Sequence, residues 1–298
     1  MNIIGKKNWY FALSLLVIIP GLLSLMFWGL RLSIDFTGGT QIKLTSSVAV
    51  SSQQQQTLRS IFQEQGVRIE VLQVSGQEIT IKTPPIDSKK HIQLLSAIAQ
   101  KDATQLREEE YTTVGPTIGS ETTTNAIIGI LLASLLIVLY IAWSFREIPK
   151  PASSWRFGVC AIIALLHDAL VLLGIFSLLG HFFGVEVDSL FVTAILTVIG
   201  FSVHDTIVVF DRIRENLKKM GATSFAHVVN ESLLQTMTRS LNTSLTVILV
   251  LFALLLFGGE STRWFIAALL IGIVSGTYSS IFNAAALLVA WQERVKTK

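Results

Sequence analysis

The chain is nearly without cysteine and poor in charge. Cys160 is the single cysteine among 298 residues, which excludes an intrachain disulfide and a metal cluster built of cysteines. It falls in an apolar run, where a thiol acts as an inert packing group. Only 14% of the residues are charged, whereas a soluble domain carries about a quarter. The small net charge of +3 gives no argument for nucleic acid, because the basic residues are scattered through short loops. What the chain has instead is apolar residue: 51% of the total, with a mean hydropathy of +0.60. Apolar runs of about 20 residues recur, the length that crosses a bilayer. A polytopic membrane protein is expected.

Lys6 and Lys7 precede a first apolar run over about 9–30. That run is too long for the core of an ordinary signal peptide, and Arg31 follows it without a small-residue cleavage site. An uncleaved membrane helix is expected there. Five further spans fall at about 123–145, 157–180, 187–210, 236–258 and 264–290. Basic residues gather at one side: Lys6 and Lys7; Arg146, Lys150 and Arg156; Arg212, Arg214, Lys218, Lys219 and Arg239; Arg294, Lys296 and Lys298. The opposite short loops carry none over 181–186 and one, Arg263, before the last span. By the positive-inside rule both termini, including the tail 291–298, are cytoplasmic, and 31–122 lies outside.

Residues 31–122 alternate between two periodicities. Strand patterns cover 40–45, 67–74, 78–82 and about 108–114, and helical patterns cover 51–65 and 87–106. Ser75-Gly76 is a hairpin turn, and Asp87 or Ser88 can cap the second helix. The order β-α-β-β-α-β is that of a ferredoxin-like α+β domain. Nothing in it looks catalytic, so it binds or positions rather than transforms. Asp35-Phe36-Thr37-Gly38-Gly39 leads into the domain, and Gly115-Pro116 leads out. Both read as joints in which glycine supplies unusual backbone angles, and both are candidate hinges if the domain moves.

The costly residues are the charges within spans. Asp205 precedes the charged end of its span by about six residues, or about 9 Å of helix. Ser189, Thr193, Thr197, Phe201, Ser202 and Asp205 are expected to form one polar stripe facing other helices. His204 points about 100° away from Asp205. Arg239 enters the next span at a similar depth, so it either pairs with Asp205 or snorkels to the interface. Asp168, beside His167, lies about 16 Å into its span. It either forms an interhelical hydrogen bond or belongs to a proton path.

These residues together resemble the SecF branch of the SecD/SecF family of protein-export membrane proteins. The resemblance is carried by Asp35-Phe-Thr-Gly-Gly39, Val114-Gly-Pro116, His167-Asp168, the long stretch Gly200-Phe-Ser-Val-His-Asp-Thr-Ile-Val-Val-Phe-Asp-Arg-Ile-Arg-Glu-Asn216, and Gln235-Thr-Met-Thr-Arg239. It covers essentially the whole chain. It implies a relationship to resistance–nodulation–division transporters and a place in a bacterial plasma membrane. It also implies partnership with SecD, the Sec channel of SecY, SecE and SecG, the associated SecA ATPase, and YajC. The material handled is unfolded exported polypeptide and protons, with no cofactor, metal or nucleic acid. The carboxylate and arginine that the family links to proton movement match Asp205 and Arg239, and a further carboxylate comes from SecD. His204 departs from the family pattern, where asparagine is expected. Two other readings compete: a proton-driven small-molecule transporter of the same superfamily, and a passive adaptor in a membrane complex.

Overall fold

The computed structural model describes residues 2–101, 106–146, 148–149, 152–219 and 223–296. Lys150 and Lys298, used above for orientation, lie outside the described residues. In chain order the elements are α1 (Lys7–Phe27), α2 (Ile34–Thr37), β1 (Gly39–Thr45), α3 (Ser52–Glu64), β2 (Val71–Ser75), β3 (Glu78–Thr83), α4 (Ser88–Lys101) and β4 (Arg107–Val114). Then follow α5 (Pro116–Ser144), α6 (Ser154–Phe183), α7 (Ser189–Lys219), α8 (Phe225–Phe257), α9 (Arg263–Tyr278) and α10 (Ala285–Lys296). A π-helical turn, Ser279–Ala284, joins the last two. Tertiary contacts divide the chain into a unit of residues 32–127 and a unit of residues 1–31 with 128–298.

The first of these units is the ferredoxin-like domain. Its sheet runs β2-β3-β1-β4 with every neighbouring pair antiparallel. Alternation along β1 and β3 sends Ile42, Leu44, Ile79 and Ile81 to one face. There they meet Leu58, Ile61 and Phe62 of α3 and Leu94 and Ile98 of α4. Ser51 caps α3 in a reciprocal capping box with Gln54. β2 starts later than its alternating pattern suggests. Gly66 turns back with φ +68°, and the Val67 amide bonds the Phe62 carbonyl at 2.8 Å. Closing the helix thus uses up the start of the expected strand. Residues 102–105, at the end of the expected second helix, lie outside the described residues.

The segment expected as a simple turn at 35–40 is more ordered than that. Ser33 caps the single helical turn α2, and Gly38 (φ +70°) and Gly39 (φ +128°) carry the chain into β1. Gly39 pairs with Val114, so the way in and the way out lie side by side. A Cβ on Gly119 would lie 2.8 Å from the Gly38 nitrogen. The joint is therefore a close backbone contact that only glycine permits.

The second unit is helical. Among the described residues six stretches are long and apolar enough to cross a membrane: Ile4–Phe27, Pro116–Ser144, Ser154–Phe183, Ser189–Lys219, Phe225–Phe257 and Glu260–Arg294. The chain is a multi-pass membrane protein. Small residues set the helix crossings. Gly21 of α1 faces Gly174 of α6 so closely that a Cβ on Gly174 would sit 2.6 Å from the Gly21 Cα. Ser24 and Ser177 hydrogen-bond at 2.6 Å one turn further on. Gly272 and Gly276 of α9 admit Val198 and Ser202 of α7 in the same way. Phe145, Phe157 and Phe210 form an aromatic cluster near the basic end. An amphipathic first part, burying Phe225, Val228, Val229 and Leu233, runs without a break into the fifth span as α8.

Candidate functional site

Asp205 is buried in α7 at 7% exposure. The Ser240 hydroxyl of α8 donates to its Oδ1 at 2.6 Å. Its Oδ2 is buried with no hydrogen-bond partner among the described residues. Half of this carboxylate is satisfied and half is not. In a membrane-spanning bundle that is an expensive arrangement.

Arg239 is the residue before Ser240, and so stands at the same level as Asp205. The two charges form no direct ion pair within the described residues; serine, not arginine, touches the carboxylate. Arg239 is exposed on the bundle surface, as is His204. The reason is angular: adjacent helix positions differ by about 100°, so α8 can turn Ser240 inward only by turning Arg239 outward.

The expected polar stripe of α7 divides in two. Ser189, Thr193 and Thr197 are exposed, whereas Ser202 and Asp205 are buried. A row of residues four apart drifts by about 40° per step, so four steps carry it about 160° around the helix. The outer row continues to His204 rather than to Asp205. Thr193 and Thr197 donate to the carbonyls four residues back, at 3.4 and 2.8 Å. Around the level of Asp205, where Ser240 meets it, α8 exposes Gln235, Thr238, Arg239, Asn242, Thr243 and Thr246. The bundle thus presents a polar, cationic strip beside the half-satisfied carboxylate.

Asp168 lies elsewhere in the bundle and in a different state. It is fully buried, at 0% exposure. Its Oδ2 accepts from Ser202 at 2.5 Å and Ser279 at 2.6 Å. Its Oδ1 accepts from Ser275 at 2.8 Å and pairs with His167 Nδ1 at 2.9 Å. The π-helical turn supplies two anchors besides Ser279. Ser280 pairs with Thr206 at 2.9 Å and donates to the Ser202 carbonyl at 3.2 Å. Asn283 donates to Ser14 of α1 at 2.7 Å. Ser240, Ser275 and Ser279 were not legible as donors to carboxylates. Ser275 and the pair Ser279-Ser280 read from sequence only as small residues for close packing, and a π turn leaves no clear mark in a single sequence.

The other residues named from the sequence are structural here. Asp35, Phe36 and Thr37 form α2, and the Phe36 carbonyl lies 3.4 Å from the Thr123 hydroxyl. Gly38 packs on Pro116, the first residue of α5, and Gly115 has open space around it. Among the described residues no group of three or more histidines, cysteines and carboxylates could hold a metal.

Comparison with known proteins bears on these positions. Residues 94–294 match the family model described as protein export membrane protein SecD/SecF, C-terminal, and residues 24–50 match the SecD/SecF GG motif. The chain is 47% identical to the protein translocase subunit SecF of Thermobaculum terrenum, over 99% of this chain and 95% of that one. It is 40% identical to the subunit of the same name from Anaerolinea thermophila, over 98% and 94%. Among solved structures it superimposes on SecDF, a translocon-associated membrane protein from Thermus thermophilus, with a TM-score of 0.83 and 36% identity. That match covers 99% of this chain but only 39% of the SecDF chain.

Proposed function

The chain belongs to the SecD/SecF family of protein-export membrane proteins, and on that premise we propose that it is the SecF-type half of a SecD–SecF complex that uses the proton gradient to draw polypeptides through the Sec channel. The observation that carries this reading is Asp205: buried, held by one serine, and left with one oxygen unpaired. A proton on that oxygen removes the charge, and with it most of the cost of burying the carboxyl group half-paired. A second chain could equally supply a donor.

The neighbouring surface favours a second chain. Thr193, Thr197 and His204 on α7 and Arg239, Asn242 and Thr246 on α8 face outward from the membrane spans. Lipid would leave a charge such as Arg239 poorly solvated, whereas a partner helix carrying a carboxylate would satisfy it. SecD is that partner, since SecDF relatives join such a chain to further sequence. The Sec channel of SecY, SecE and SecG, with SecA and YajC, completes the assembly. Both termini face the cytoplasm, and the ferredoxin-like domain lies outside, where polypeptide emerges.

The proposed cycle is brief. Asp205 takes a proton from the outer side and releases it inward, and each change of charge makes or breaks its attraction to Arg239 and the partner helix. A potential of 100 mV supplies about 2.3 kcal/mol per charge moved. The joint at Asp35–Gly39 and Gly115-Pro116 then passes helix movement to the outer domain as a unit, because Gly39 and Val114 share a ladder.

Asp205→Asn tests this. It should abolish the dependence of export on the proton gradient while leaving the amount of assembled complex close to that of the parent. Export that still responds to the gradient would refute the proposal. A fall in complex abundance with unchanged export per complex would make the chain a passive adaptor.

A further inference from the structure

The cluster around Asp168 is not used in that cycle, yet it is the most completely built polar site in the bundle. Four donors from three helices and a π turn converge on one carboxylate: His167, Ser202, Ser275 and Ser279. A carboxylate offers about four lone-pair sites, so this set fits the ionised form. A buried charge with only a histidine as a possible counter-ion is costly at the depth of a membrane helix's middle. If the cluster merely tied helices together, uncharged hydroxyls would do so at less cost.

The hydrogen bonds also accommodate an added proton. Ser279 Oγ lies 2.6 Å from Asp168 Oδ2 and 3.2 Å from the Gly276 carbonyl. With Asp168 ionised, Ser279 donates to it. With a proton on Oδ2, Asp168 donates to Ser279, whose own hydrogen turns to Gly276. The same holds at the histidine. His167 Nε2 lies 3.0 Å from Ser14 Oγ, and Ser14 also shares a hydrogen bond with the Tyr278 hydroxyl. Tyr278 in turn donates to the Tyr10 carbonyl at 2.7 Å. With neutral His167, Ser14 donates to Nε2; with the imidazolium, Nε2 donates to Ser14 and Ser14 to Tyr278. In both states the donors named here have acceptors, and only hydroxyls rotate.

We propose that Asp168 and His167 form a second proton-binding site of the bundle, one that gains or loses a proton by rotating Ser279 and Ser14 rather than by separating helices. The proton adds to Asp168 Oδ2 or His167 Nε2 and leaves by the same atoms. A cavity of about 690 Å³ borders the cluster at Ser14, His167, Ser275 and Tyr278, and no residue of α7 lines it. The other titratable groups nearby on the packed helices are Tyr10, His204, Asp205 and Tyr278, with Cys160 about two turns away on α6 and Arg156 and His181 near the ends of that helix, and none of them bonds the Asp168 carboxylate. Lys7 and Arg263 open α1 and α9, and the α7 charges from Asp211 onward are two or more turns from Ser202. The link to Asp205 runs through one turn of α7: Ser202 holds Asp168, and Ser280 holds both the Ser202 carbonyl and Thr206.

Infrared difference spectroscopy of the purified full chain in lipid nanodiscs, stepped across the range in which carboxylates and imidazoles titrate, is the test. A protonated-carboxyl carbonyl band should appear on acidification. It should be lost in Asp168→Asn, kept in Asp205→Asn, and shifted in frequency in Ser202→Ala, which leaves the carboxyl in place. If Asp168→Asn does not accumulate, Ser202→Ala decides alone. A set of carboxyl bands that neither variant alters, together with imidazolium ring bands that His167→Gln leaves unchanged, would overturn the proposal and leave Asp168 a structural anchor. The measurement reports protonation of Asp168 whether or not Asp205 couples to export, so the two readings fail separately.

Discussion

The crossing of α1 and α6 offers a sharp test of how this bundle is packed. Gly174→Ala adds a single methyl group. In the present geometry that methyl would sit 2.6 Å from the Gly21 Cα and 3.1 Å from its carbonyl carbon. Both neighbours are backbone and cannot rotate away, so the helices must part by about 1 Å to restore ordinary carbon contact at about 3.5–4.0 Å. A gap of that size forfeits about a quarter to a half of each dispersion contact along the seam. It also stretches the 2.6 Å bond between Ser24 and Ser177, and the 2.6 Å bond from Ser177 to the Gly29 carbonyl, beyond useful length. Interhelical bonds in membranes are worth about 0.6 kcal/mol each. With overpacking at about 1–3 kcal/mol, the total loss is about 2–4 kcal/mol. Gly200→Ala is the control, because a Cβ there meets nothing within 4 Å. It should be neutral or stabilising by up to about 1 kcal/mol, the helix preference for alanine over glycine. Thermal unfolding of the two variants in one detergent, read by fluorescence-detected size exclusion, measures the difference. Equal melting temperatures would refute the reasoning and show that the seam yields without cost.

Three further outcomes follow from other parts of the molecule. Gly39→Ala should destabilise the ferredoxin-like domain by about 1–3 kcal/mol, because φ is +128° and a Cβ would lie 2.9 Å from the Thr83 carbonyl oxygen; protease protection of the full chain reads this. Ser240→Ala should cut gradient-driven export without lowering complex abundance, since it removes the hydrogen bond on Asp205, and bonds to charged groups are worth about 1.5–3 kcal/mol. Burial, then the nearby Asp87 and Glu108 carboxylates, push the Tyr111 hydroxyl above its ordinary value. The raised value means that its stabilising contribution is complete below the unfolded value of about 10 and is lost as the pH rises through the folded one. Tyr111→Phe should therefore flatten the alkaline end of the domain's stability profile, measured by circular dichroism of the chain.

Much of the architecture was legible because the bilayer and the sheet each impose a simple period. Apolar runs of a fixed length marked the six spans. Alternation against a helical repeat marked the order β-α-β-β-α-β, although β2 lost its first residues to the closing turn of α3. The burial of Asp205 was legible as well, since the charged end of α7 fixed its depth. What misled was the angle around the helix. Four-residue spacing appeared to join Ser189 to Asp205, yet drift over four steps puts them on different faces. For the same reason the depth of Arg239 left open whether it pairs with Asp205 or turns outward, and it is the serine after it that turns inward.

The sequence by itself determined the membrane class, the ferredoxin-like insert, the family and the positions at which charge enters the spans. Each rests on local pattern: run length, period, or a contiguous motif. Only the tertiary structure decided what those charges touch. Among the described residues Asp168 acquired four donors and Asp205 one, because helices far apart in sequence had to be brought to one level and rotated. That rotation is set by glycine contacts between α1 and α6 and between α7 and α9, and by a π turn at Ser279–Ala284. Such contacts are a property of pairs of helices, and no single stretch of sequence contains them.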